Sequence, residues 1–127
     1  MVGKTARTML AGLVVLAVFA MAPVASAGND DVIREGSCSG SSDWKLKLSP
    51  EDGQIEVEFE VDSNVVGQTW NVKIFQNGSQ IFHGKRVTKA PSGSFEVRRL
   101  ANDTPGVDKF RGRATHAGET CVGTAQI

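Results

Sequence analysis

Side chains that usually carry catalysis or hold metals are scarce in this sequence. It has two histidines, two cysteines and no tyrosine among 127 residues. His83 and His116 show no HExxH-type spacing and form no Cys-His cluster, which excludes the common zinc motifs. There is no Gly-x-Ser-x-Gly elbow and no phosphate-binding glycine loop. A triad drawn from either histidine, Asp108 and a serine has no spacing that singles out a nucleophile. The chain therefore reads as a non-enzyme, with no catalytic residue, no cofactor and no metal site. Asp62, Asn64, Asp103 and Asp108 offer oxygens of the kind calcium takes. No contiguous calcium-loop pattern joins them, and they read as solvated turns.

Long apolar runs are limited to one. Met9 to Met21 is almost purely apolar, preceded by Lys4 and Arg7 and followed by Pro23 and Ala25-Ser26-Ala27. A run of about 13 residues is short of the roughly 20 that span a bilayer. Small residues at Ala25 and Ala27 suit a signal peptidase. Residues 1–27 are thus expected to be a signal peptide helix, cleaved before Gly28, and residues 28–127 one secreted domain. No second apolar segment follows, so no membrane association is expected after cleavage.

A surplus of either charge is missing too. The chain has 14 basic and 14 acidic residues. A near-neutral balance argues against a nucleic-acid partner, which needs a marked basic excess. With Cys38 and Cys121 as the sole cysteines, an oxidising compartment allows one pairing, a structural disulfide from the start of the domain to its last strand.

What the domain does have is a period of two. Trp44, Leu46 and Leu48 alternate with Lys45 and Lys47, and Ile55, Val57, Phe59 and Val61 alternate with Glu56, Glu58 and Glu60. Each is a half-buried strand. The turn formers Ser49 to Gly53 separate the two, which places lysines across from glutamates on the wet face. Trp70, Val72 and Ile74 form a third run, and Gln80 to Val87 a fourth. Between them Asn77-Gly78 marks a type I′ hairpin. That turn predicts Ile74 opposite Ile81, Val72 opposite His83 at the core margin, and Lys73 opposite Phe82. Ser94–Leu100, Val107–His116 and Thr120–Ile127 alternate likewise, and a lead strand is expected near Val32–Cys38. Asn77-Gly78-Ser79 and Asn102-Asp103-Thr104 match the glycosylation sequon. Seven or eight short strands with frequent turns predict an all-β sandwich or barrel.

The stretch Gly67 to Ile81, with Trp70, alternating apolar residues and Asn77-Gly78, resembles the third-strand region of immunoglobulin-like domains. Asp108-Lys109-Phe110, followed by Ala114, His116 and Gly118, is similar to their penultimate strand and turn. Phe110 stands where tyrosine is common in that family, and the cysteines are not in its usual bridge strands. The resemblance implies an immunoglobulin-like antiparallel β-sandwich. The whole chain also resembles small secreted bacterial proteins of unknown function, a likeness that implies no ligand.

In such a sandwich the sheet holding Trp70–Phe75, Val107–His116 and Thr120–Ile127 turns Lys73, Phe75, Lys109, Arg111 and Arg113 outward. Phe82 lies nearby if its strand joins that sheet. A basic face with two aromatic anchors suits an anionic glycan, a cell-wall polymer or an acidic patch on an extracellular protein. A secreted, non-catalytic binding module is the leading expectation. A secreted inhibitor of extracellular hydrolases, presenting the Asn77-Gly78 turn or the Thr88–Gly93 loop, is the alternative.

Overall fold

The computed structural model describes Gly3 and residues 30–127. Apart from Gly3, the expected signal peptide and its cleavage point lie outside the described residues. None of the described residues forms a helix long and apolar enough to cross a membrane.

The alternating runs form eight strands: β1 Val32–Ser37, β2 Asp43–Glu51, β3 Gln54–Asp62, β4 Thr69–Gln76, β5 Ser79–Val87, β6 Ser94–Asn102, β7 Lys109–His116 and β8 Glu119–Gln126. They make two antiparallel four-stranded sheets, ordered β1-β2-β3-β6 and β5-β4-β7-β8. The chain is thus an all-β sandwich whose two-sheet layout is compatible with an immunoglobulin-like fold. The expected inward residues are the core: Leu46, Leu48, Val57, Phe59, Val61, Trp70, Val72 and Ile74 are all fully buried. Burying side chains of this size is worth about 1.5–3 kcal/mol each.

The β2–β3 loop is tighter than the turn-former cluster predicts. β2 runs on through Pro50 to Glu51, and Asp52-Gly53 alone reverses the chain. Asp52 and Gly53 have φ of 47° and 78°, as Asn77 and Gly78 have 50° and 82°. Positive φ at both central residues matches the right-handed strand twist. Ala117 and Gly118 close β7–β8 in the same way, with φ of 44° and 83°.

Cys38 follows β1 and Cys121 lies in β8, so their disulfide (Cα–Cα 4.3 Å) ties the two sheets together at one edge. It spans 83 residues, a loop whose closure contributes about 4–5 kcal/mol in the chain-entropy model. At the same edge, Trp44 packs into space left by missing side chains. A Cβ on Gly123 would lie 2.5 Å from its ring, and one on Gly36 2.7 Å. Gly112 leaves the same room for Phe59.

One register differs from expectation. Gln76 pairs with Ser79 and Phe75 with Gln80, but Ile74 pairs with Phe82, Lys73 with His83 and Val72 with Gly84. Ile81 is an extra residue on β5, a bulge that a two-residue alternation does not announce. Beyond it every β5 side chain changes face.

Candidate functional site

The outer face of the β5-β4-β7-β8 sheet follows directly from the register. β4 contributes Asn71, Lys73 and Phe75, and β7 contributes Lys109, Arg111, Arg113 and Thr115. β5 adds Gln80, His83 and Lys85, while β8 adds Thr120, Val122, Thr124 and Gln126. Five cations, Lys73, Lys85, Lys109, Arg111 and Arg113, therefore share this face, and no strand position on it is a carboxylate. Among the described residues none of the five is in an ion pair.

The structure brings together Lys73, Phe75, Lys109, Arg111 and Arg113 as the alternation predicts. Phe82 does not join them. The bulge places it opposite inward-facing Ile74, where it packs against the core at the open β5/β6 edge. Arg86 and Arg99 cover its ring at 4.9 and 5.4 Å. His83 is likewise not at the core margin: it is exposed, opposite Lys73. Lys85 joins the basic face for the same reason and escapes the alternation, which pairs it with Trp70 and points it inward.

Phe75 is half-buried, with the Arg111 guanidinium 4.5 Å from its ring centroid. Such a stack holds both side chains in place and is worth about 0.5–1 kcal/mol at an exposed site. Around it lies a shallow open groove of about 650 Å³, whose cations are Lys109, Arg111 and Arg34. Arg34 comes from β1, which lies beside β8 across the sandwich edge. Thr124 and Gln126 add polar atoms, and no carboxylate lines the groove.

The opposite outer face has the other sign. Its carboxylates are Glu35, Asp43, Glu51, Glu56, Glu58, Glu60, Asp62 and Glu96, set against Lys45, Lys47 and Arg98. Lys47 reaches Asp31 at 3.5 Å and Glu58 at 3.8 Å, and Arg98 bridges Glu56, Glu58 and Glu96. Asp43 faces Asp62 and Glu60 faces Glu96 directly across strands. Burial and the adjoining carboxylates push the Glu60 carboxyl upward against the pull of Lys45. The near-neutral chain is thus strongly polarised between its two faces.

Two other polar clusters are occupied in holding the fold. Asp108 is fully buried and accepts hydrogen bonds from the Thr104 backbone and hydroxyl, Asn77 and Gln76. Burial pushes its carboxyl up, but these donors outweigh burial and bring it down to about 2. Phe110, two residues on, is buried in the core. Asn77 also accepts the Lys109 N–H, so the amide of this sequon is engaged on both atoms.

Ser42 is buried, and its hydroxyl donates to Glu119 at 2.6 Å. That hydrogen bond heads the causes that lower the Glu119 carboxyl. His116 pairs with Glu119 across the β7–β8 ladder, but its Nδ1 is 2.8 Å from the Thr69 carbonyl oxygen and its ring packs on Trp70. The serine hydroxyl is bound by the carboxylate and not by the imidazole, which is the wrong order for nucleophile activation. Comparison of the chain with protein-family models, with curated proteins and with solved structures finds no match in any of the three.

Proposed function

We propose that the protein is a secreted, non-catalytic binding module whose basic sheet face docks onto an anionic extracellular partner. The observation that carries this reading is the segregation of charge. Lys73, Lys85, Lys109, Arg111 and Arg113 share one face without a carboxylate among them, in a chain whose total charge is zero. Like charges side by side on a sheet destabilise it. A ligand of opposite sign removes that repulsion. The Cys38–Cys121 disulfide supports an oxidising compartment, in keeping with the export signal read at residues 1–27.

An anionic glycan fits the face better than a nucleic acid. Among the described residues Phe75 is the only phenylalanine or tryptophan on the face, and it is already stacked under Arg111, so no large free ring is offered to bases. The acidic opposite face would repel a polyanion that wrapped around the domain. The test is retention on an immobilised sulfated or carboxylated glycan against a neutral one at about 0.1 M salt, where the screening length is about 10 Å. The protein is expected to be retained on the anionic matrix, and Arg111→Glu with Arg113→Glu to flow through. Equal behaviour of the two proteins would remove the basic face as the site.

A further inference from the structure

The cations on the basic face are not scattered. Lys109, Arg111 and Arg113 follow one another at alternate positions of β7, about 6.8 Å apart for each two-residue step. From Arg113 the line turns across the sheet, because Arg113 pairs with Lys73 and Lys73 with His83. Those neighbours are about 4.8 Å apart. Lys85 then lies one further step along β5. Across two strand spacings and three two-residue steps, the stripe runs obliquely for about 22 Å.

The two ends of the stripe differ. At the Lys109 end it opens into the groove beside Phe75, where Arg34 approaches from the other sheet and gathers three cations around one cavity. At the Lys85 end the cation lies on the exposed edge strand of its sheet.

We propose that the ligand is a linear anionic polysaccharide, carboxylated or sulfated. One anionic unit of it sits in the Arg34–Lys109–Arg111 groove, and the chain extends along Arg113 and Lys73 to Lys85. This rests on the reading of the basic face as the binding surface and adds an orientation and a minimum length to it. A compact anion would use the groove alone and gain nothing from Lys85. An extended chain engages the whole stripe, and each added charge contact steepens the salt dependence.

The experiment is calorimetric titration of the protein with a size ladder of heparin-derived oligosaccharides and a matching ladder of oligogalacturonates, at about 0.1 M salt. Affinity is expected to rise with length until the oligosaccharide outreaches the stripe, then to level off. Arg34→Ala weakens every length by about fivefold, whereas Lys85→Gln weakens the longest members by about threefold to fivefold and leaves the shortest unchanged. Whichever ladder binds identifies the anionic group. Length-independent affinity, or equal loss at all lengths in Lys85→Gln, overturns the extended arrangement while leaving the basic face as the site. Absence of binding by both ladders overturns the reading of the face itself. Salt-reversible dimerisation of the protein alone, abolished by Arg111→Glu in sedimentation, assigns the face to the acidic sheet of a second copy and also overturns the polysaccharide.

Discussion

The side-chain amide of Asn77 donates to the buried carboxylate of Asp108 at 2.8 Å, while its oxygen accepts the Lys109 N–H at 2.8 Å. This contact locks the β4–β5 turn to the entry of β7. Gln76 extends it by donating to Asp108 and to the Asn102 carbonyl at the end of β6. The folded-state carboxyl, at about 2, lies below its ordinary value of 3.8. Its stabilisation is therefore complete above about pH 4 and is lost as the pH falls through 2. The shift corresponds to about 2 kcal/mol. Urea unfolding at several pH values between 2 and 7 is expected to show this loss in the wild type. Asp108→Ala should be less stable by about 2–4 kcal/mol at neutral pH and should lack that part of the acid dependence. An unchanged pH profile in the variant would show that the clasp contributes nothing.

Phe75 and Phe82 form a pair in the sequence and part company in the fold. Phe75 lies on the outer basic face, and Phe82 packs at the β5/β6 edge between Arg86 and Arg99. Phe82→Ala should cost about 2–3 kcal/mol of stability, less than a fully buried phenylalanine, and leave retention on an anionic matrix intact at temperatures where the variant is folded. Phe75→Ala should cost under about 1 kcal/mol and weaken retention, because the Arg111 guanidinium loses the ring that orients it. Thermal melts and matrix elution in parallel distinguish the two. The opposite pattern would mean that Phe82, not Phe75, belongs to the binding surface.

The separation of these two residues marks how far a sequence can be read. Strand positions and core residues follow from alternation, because a half-buried strand has to put every second side chain inside. Trp70, Phe59 and Phe110 are therefore legible, and so are the outward Lys73, Arg111 and Arg113. A bulge breaks the rule without a composition signal: Ile81 is as apolar as its neighbours, and only the pairing shows that it is extra. One residue of slip moved Phe82 inward and Lys85 and His83 outward. Asp108 reads as a solvated turn residue, yet it is fully buried. Thr104, four residues earlier, supplies two of its donors, and the other two, Gln76 and Asn77, meet it only in the folded chain. Arg34 reaches the groove from the other sheet, a proximity that no local pattern encodes.

Gly112 faces Phe59 across the sandwich, and a Cβ there would lie 2.6 Å from the ring. Both lie in the middle of their sheets, where the backbone cannot retreat without disturbing two ladders. Gly112→Ala is expected to destabilise by about 1–3 kcal/mol through overpacking. Phe59→Leu alone also destabilises, by removing buried ring volume. Combined, the two changes should cost less than their sum by about 1 kcal/mol or more, since the smaller side chain admits the new methyl. Additive costs in this double-mutant cycle would mean that Gly112 is needed for some reason other than the room it leaves for Phe59.

Ala117 is the one first-position residue of the three two-residue turns that lacks a polar side chain, and its φ is 44°. A methyl group in the left-handed region costs about 1–2 kcal/mol, and asparagine and aspartate tolerate that conformation better. The equivalent positions hold Asp52 and Asn77. Ala117→Asn should therefore raise stability by about 0.5–1 kcal/mol, visible as a higher urea midpoint with an unchanged slope. Ala117 lies outside the line of cations from Lys109 to Lys85 and the substitution changes no charge, so glycan retention should not move with it. A gain in stability with unaltered retention separates turn strain from function, whereas a loss of stability would mean that the turn is held by contacts the alanine makes and asparagine does not.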